Sequence, residues 1–398
     1  MGEWKNVRVG ELGKIITGKT PKTSISDNYG GRIPFLTPSD NMSVKYVGKT
    51  SKTLTEKGLL EVKNAILPEN SVCVSCIGSD LGKAVITTCP TVTNQQINSI
   101  IVDEKSFDVS FVYYAMQILG KKMNFISKTS TAVPIVNKSS FSSYEIKCPP
   151  REDQKRIAAV LSALDSKIEC NKKINDNLEQ QAVALFKSWF VDFSLFGGTV
   201  PENWEDTTLE NITTLITRGI APKYSNDSDQ TVINQKCIRN HTIDLSLARS
   251  HTPKAINEKW LQFGDLLINS TGDGTLGRVA QVWFTPKSLT VDSHVTIVRP
   301  AREELIFYIG LWGILHEKEI ESLHTGSTGQ TELPRDRVKM LKLLLPDNIS
   351  LSRFNSIIAP MASTIISNQE ENQKLANLRD TLLPKLMSGE IDVSDIQL

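Results

Sequence analysis

Cys73 and Cys76 form a CxxC, a spacing that serves zinc binding and disulfide exchange. No second CxxC and no Cys/His pair follows at zinc-ribbon spacing. The surrounding run SVCVSCIG has the make-up of a strand. Buried, reduced thiols are the better reading there; the other cysteines, Cys89, Cys148, Cys170 and Cys237, are scattered. Gly272-Asp273-Gly274-Thr275-Leu276-Gly277 is a literal GxGxxG. A dinucleotide loop needs a strand before it and a helix after it, but the run that follows, RVAQVWF, reads as a strand. A tight strand–strand turn is therefore preferred. HExxH, Walker and GxSxG patterns are missing, and the Pro-Pro pair in Cys148-Pro149-Pro150-Arg151 lacks the aromatic residue of an amino-methyltransferase tetrapeptide. His241, His251, His294, His316 and His324 all lie in the second half, and solvated, core or contact roles are expected for them.

The loops are richer in groups that read nucleic acid. Arg and Lys suit phosphate and guanine, and Asn and Gln suit adenine. The segments are Thr37–Asn41, 128–131, Asn234–Lys236, Arg239–His241 and 324–330. Solvated loops share this composition, so it leaves DNA contact open. The candidate contact residues in the first half are Lys19, Lys22, Thr37, Ser39, Asn41, Lys128, Ser130 and Lys138. In the second half they are Arg218, Asn234, Gln235, Lys236, Arg239, Asn240, Ser327, Gln330 and Arg335.

What must position these loops is a stretch of heptads. Ile157, Leu161, Leu164, Ile168, Asn171, Asn175, Leu178, Ala182, Leu185 and Trp189 follow one another at alternating steps of four and three. Pro149 and Pro150 precede the stretch and Gly197 and Gly198 follow it, as start and stop signals. A helix of about 40 residues, roughly 60 Å long, is expected. The same seam recurs 197 residues later as Phe354, Ile358, Met361, Ile365, Asn368, Asn372, Leu375, Arg379, Leu382 and Leu386. Asn in a seam fixes register, because a slipped pairing buries an amide without a partner. Its recurrence at Asn171/Asn368 and Asn175/Asn372 favours that role over a chance polar interruption. Pro360 lies inside the second run and predicts a bend or a restart there.

The duplication extends over the whole chain. Trp4 and IITGKTP match Trp204 and LITRGIAP; Leu81-Gly82-Lys83-Ala84 matches Leu276-Gly277-Arg278-Val279; Gln95-Gln96-Ile97 matches Ser293-His294-Val295; Pro134 matches Pro334. Phe111 to Phe125 and Leu305 to Leu323 both read as amphipathic helices. The fold class expected is α+β: two tandem mixed α/β domains separated by two long antiparallel helices forming a coiled coil, with pseudo-two-fold symmetry. Residues 1–150 carry 18 Lys+Arg against 12 Asp+Glu, whereas 200–348 carry 16 against 19, so only the first domain favours a polyanion by its field. No apolar run has the length of a membrane span and MGEWKNVRVG has no signal-peptide character, so a cytoplasmic location is expected.

Several runs together resemble one family. They are the apolar-strand-Pro-Pro-x-x-x-Gln-Lys-Arg-Ile stretch (146–157), LSALDSKI, LFKSWFVDF, STGDGTLGRVA, TGSTGQTELPRD and LRDTLLPKLMSGEIDV. With the half-chain repeat, they make the chain similar to the specificity subunits of Type I restriction–modification systems. The resemblance implies target-recognition domains at 1–150 and 197–347 and conserved helices at 151–196 and 348–398. It implies that each domain reads one half of a split DNA target, that the helices set the gap, and that the chain is not itself catalytic. S-adenosylmethionine, ATP and Mg would belong to partners, namely modification (methyltransferase) subunits, two of them, and restriction subunits. The alternatives are a duplicated coiled-coil scaffold that binds only protein, and a catalytic methyltransferase or nuclease. The missing reaction motifs weigh against the latter.

Overall fold

The computed structural model describes residues 3–127, 135–326 and 331–396. The chain divides into two compact units, residues 1–170 with 371–398 and residues 171–370.

In the first unit the main sheet has the order Gly13–Thr17, Ile97–Val102, Ser71–Ser75, Ala84–Thr87, Tyr46–Val47. All five residues of Ser71–Ser75 are buried. Both faces of this strand are covered, so it reads as a continuous rather than an alternating apolar run. Val72 and Val74 face the core under the helix Val109–Ser127, and Cys73 faces a smaller core on the other side. Cys76 belongs to the first of these cores, so the two thiols of the CxxC lie in different cores. Burial pushes the Cys73 thiol up to about 12, against any thiolate chemistry. A second sheet pairs Tyr29–Leu36 in parallel with Thr91–Thr93. Lys5–Arg8 pairs antiparallel with Glu145–Cys148 and closes the domain.

The second unit repeats this order: Thr213–Arg218, Val295–Pro300, Leu266–Asn269, Val279–Gln281. Thr231–Ile233 pairs in parallel with Leu289–Val291, and Glu205–Thr208 pairs with Lys342–Leu345. The GxGxxG segment joins the antiparallel strands Leu266–Asn269 and Val279–Gln281 and no helix follows it, so it is a strand–strand connection. One expected helix is divided, into Ile306–Leu315 and Glu317–Ser322. At the break His316 stacks on Trp312, with ring centroids 4.6 Å apart. The first piece is buried from Phe307 to Gly313, which makes it a core helix rather than an amphipathic one.

The heptad stretches form the helices Arg151–Phe190 and Asn348–Ser388. Seam residues Ile157, Leu161 and Ile168 are buried, as are Asn171, Asn175, Ala182, Trp189, Phe354, Ile358, Ile365 and Leu386. Leu164, Leu178, Leu185, Met361, Asn368, Asn372, Leu375, Arg379 and Leu382 are half-buried. Within each unit the two helices run antiparallel. In the first, Asp165 pairs with Arg379 at 2.9 Å and Lys167 with Glu371 at 3.2 Å. In the second, Asn368 Nδ2 donates to Asn175 Oδ1 at 2.8 Å, and the Trp189 and Phe354 rings lie 5.6 Å apart. The expected restart at Pro360 does not occur. Pro360 and Ser356, four residues before it, are both exposed, so solvent can satisfy the carbonyl that loses its partner. Among the described residues no helix is long and apolar enough to cross a membrane, and no group of three or more His, Cys, Asp or Glu is placed to hold a metal ion.

Candidate nucleic-acid interface

The same backbone hydrogen bonds gather the same loops in both units. In the first, Gly18 N donates to Ile97 O (3.1 Å), Asn94 N to Leu36 O (3.1 Å), Cys76 N to Gln96 O (2.8 Å) and Val136 N to Cys76 O (3.0 Å). In the second, Gly219 N donates to Val295 O (3.1 Å), Asp292 N to Ile233 O (2.9 Å), Ser270 N to His294 O (2.8 Å) and Leu333 N to Ser270 O (2.8 Å). Each unit therefore carries a rim built from the ends of its sheet strands and the segment leading into a short helix, Lys138–Ser143 or Arg335–Lys339. Rigid strands holding polar loops are a suitable scaffold for reading an extended polar ligand.

On the first rim Lys19 and Lys22 are exposed beside the Gly18 turn. Thr20 Oγ1 donates to Gln95 Oε1 at 2.7 Å, which ties that turn to the turn entering Ile97–Val102. The Thr37–Asn41 loop is organised by Asp40, whose carboxylate accepts from Thr37 N (2.8 Å), Thr37 Oγ1 (3.0 Å) and Ser51 N (2.7 Å). Burial opposes ionisation of Asp40, but these donors outweigh it and lower its pKa. Ser39 and Asn41 remain exposed, and Asn41 Oδ1 accepts from Ser43 N at 3.0 Å. Lys138 is exposed at the first position of its helix, and Arg335 has the same place in the second unit. The repeat thus conserves a cation at one structural position. Lys128, Ser130, Ser327 and Gln330 lie outside the described residues.

The second rim commits more of its side chains internally. Arg218 donates to Leu333 O at 2.9 Å and pairs with Glu332 at 2.6 Å, so its guanidinium braces the segment before Arg335. Asn234 accepts from Lys236 N (2.9 Å) and donates to Leu247 O (3.2 Å), while Lys236 is exposed. Gln235 Nε2 donates to Thr271 O at 2.8 Å and also to Thr271 Oγ1. Arg239 and Asn240 are exposed on a hairpin between Ile238–Arg239 and Thr242–Ile243, whose central residues Asn240 and His241 have φ of 51° and 59°. His241 Nε2 lies 3.4 Å from Glu317 Oε2. That hydrogen bond, opposed by burial, raises the His241 pKa. For Glu317 burial works the other way, yet the bonds from His241 and Val279 N lower its pKa. The hairpin is therefore pinned at its tip.

Thr20, Gln95, Gln96 and His294 were not among the sequence candidates, although all four stand on the rims. The signal was present in the repeat: Gln95-Gln96-Ile97 and Ser293-His294-Val295 are matched polar pairs entering a strand.

Residues 1–180 match the sequence model of the family described as Type I restriction modification DNA specificity domain. The chain is 27% identical to the Type I restriction enzyme MjaIX specificity subunit of Methanocaldococcus jannaschii, over 99% of this chain and 95% of that protein. It is 32% identical to the Type I restriction enzyme HindI specificity subunit of Haemophilus influenzae, over 44% of this chain and 39% of that one. Among solved structures, a Type I restriction–modification system S subunit from M. genitalium is similar in fold. Its TM-score is 0.56 at 16% identity, over 97% of this chain and 96% of that one.

Proposed function

We propose that this chain is a Type I restriction–modification specificity subunit, on its similarity to that family, and that each of its two rims reads one half of a bipartite DNA target. The chain supplies sequence specificity and no catalysis. Its partners are double-stranded DNA, modification subunits and restriction subunits. Two modification subunits dock per chain, because an internally duplicated chain offers the same kind of surface twice. S-adenosylmethionine, ATP and Mg are held by those partners, and the complex works in the cytoplasm. The two long helices set the gap between the half-targets.

The observation that carries this reading is the duplicated rim: one set of backbone hydrogen bonds, used twice, presents polar loops and an equivalent cation, Lys138 or Arg335. Formal net charge is only +1, so the chain alone supplies little of the phosphate attraction that dominates affinity for DNA. The expected result is that the purified chain binds DNA weakly and transfers no methyl group. Adding modification subunits yields a sequence-specific gel shift and adenine methylation. Methyl transfer by the chain alone, or a complex without sequence preference, refutes the proposal.

A further inference from the structure

The hydrogen bonds around His294 favour one tautomer of its ring. Its backbone is pinned on both sides: Ser270 N donates to His294 O at 2.8 Å and His294 N donates to Asp292 Oδ1 at 2.9 Å. Thr271 Oγ1 lies 2.8 Å from His294 Nδ1. An amide nitrogen only donates, so Thr271 Oγ1 must accept from Gln235 Nε2. The Thr271 hydroxyl proton is satisfied when it donates to His294 Nδ1; the opposite tautomer, with Nδ1–H donating to the second lone pair of Oγ1, leaves that proton no acceptor among the described residues. In the neutral ring the other nitrogen carries the proton. His294 is exposed on the rim, so what it offers outward is a single, oriented Nε2–H donor. Gln96 occupies the equivalent place in the first unit and has the same polarity. Its Oε1 accepts from Asn94 Nδ2 at 3.0 Å, which leaves its own amide nitrogen to donate.

We propose that His294 is a specificity-determining residue of the second half-target, donating Nε2–H to N7 of a purine in the major groove. The inference rests on the DNA-specificity reading and extends it to one atom. A lone donor selects an acceptor. Cytosine presents only a donor on its major-groove edge, minor-groove acceptors are too alike to specify a base, and of the major-groove acceptors (purine N7, guanine O6 and thymine O4) N7 is the one that every base pair carries. Gln235 and Thr271 act as positioning residues for the ring.

The test uses the complex of this chain with its modification subunits, after methylome mapping has identified its target. Binding is measured at fixed salt on duplexes in which each purine of the second half-target, on either strand, is replaced in turn by its 7-deaza analogue. The unaltered chain is compared with His294→Ala and His294→Gln. At one position the 7-deaza change weakens the unaltered complex by about ten-fold, the size of one lost hydrogen bond. The same change costs the His294→Ala complex nothing further. His294→Gln keeps an N–H donor and regains part of the sensitivity. If the unaltered and alanine complexes respond alike to every 7-deaza duplex, His294 does not read N7, while the DNA-specificity reading survives because the complex still binds its target. A complex that prefers no sequence at all overturns both.

Discussion

Asn175 and Asn368 show what a single polar pair can do inside an apolar seam. Asn175 is buried, its Oδ1 accepts from Asn368 Nδ2 at 2.8 Å, and its own Nδ2 donates to Ile365 O at 3.4 Å. Truncating either Asn to Ala leaves the other amide short of a partner, at a cost of about 1–3 kcal/mol. The double alanine variant should cost less than the sum of the two, with a coupling of about 0.5–3 kcal/mol in urea melts. Replacing both by Leu should hold or raise Tm, because an apolar pair fills the seam without an amide to satisfy. It should also loosen register, which methylome mapping would detect as methylation spread over more than one gap length. Strictly additive alanine effects would remove the pair from the account of register.

At the scale of elements, the helices Arg151–Phe190 and Asn348–Ser388 keep a 4–3 alternation of apolar positions that tolerates insertion by whole heptads. Seven residues inserted after Leu178 and seven after Leu375 preserve both stripes and lengthen each helix by about 10 Å. B-DNA advances about 3.4 Å per base pair, so the gap in the target can grow by at most about three pairs. Three pairs also turn the duplex by roughly 100°, at about 10–10.5 pairs per revolution. Translation and rotation then disagree, and the expected growth is one or two pairs with unchanged half-target bases. Methylome mapping of cells carrying the double insertion measures this. An unchanged gap with active methylation would mean that the helices do not set the spacing.

For the whole molecule, the consequence of two units with separate cores is separable reading. The first unit has its own buried clusters and the second has another set. Exchanging residues 5–145 for the corresponding domain of another family member should change one half of the target and leave the other intact. The strands Lys5–Arg8 and Glu145–Cys148, which close the domain, mark where the exchange has to be joined. A change in both halves would show that the readers are coupled.

Periodicity and self-similarity are local properties of a chain, so the duplication, the strand-rich domains and both long helices were legible in the residues alone. All the seam positions but Ala182/Arg379 keep their apolar or polar character between the copies, and that repetition needs no tertiary information. Pro360 was legible as an interruption, but only the fold shows that the helix continues through it, with the orphaned carbonyl on an exposed face. Leu305 to Leu323 read as one amphipathic helix, whereas the fold divides it at His316 and buries the first piece from Phe307 to Gly313. The rims were the least legible part. Arg218, Asn234, Gln235 and His294 are similar polar residues in the sequence, yet the first three are held by bonds to Leu333, Leu247 and Thr271, which lie 115, 13 and 36 residues away. Composition says that a side chain is able to donate or accept. Whether it has already done so within its own domain is decided by partners that only the tertiary fold brings together.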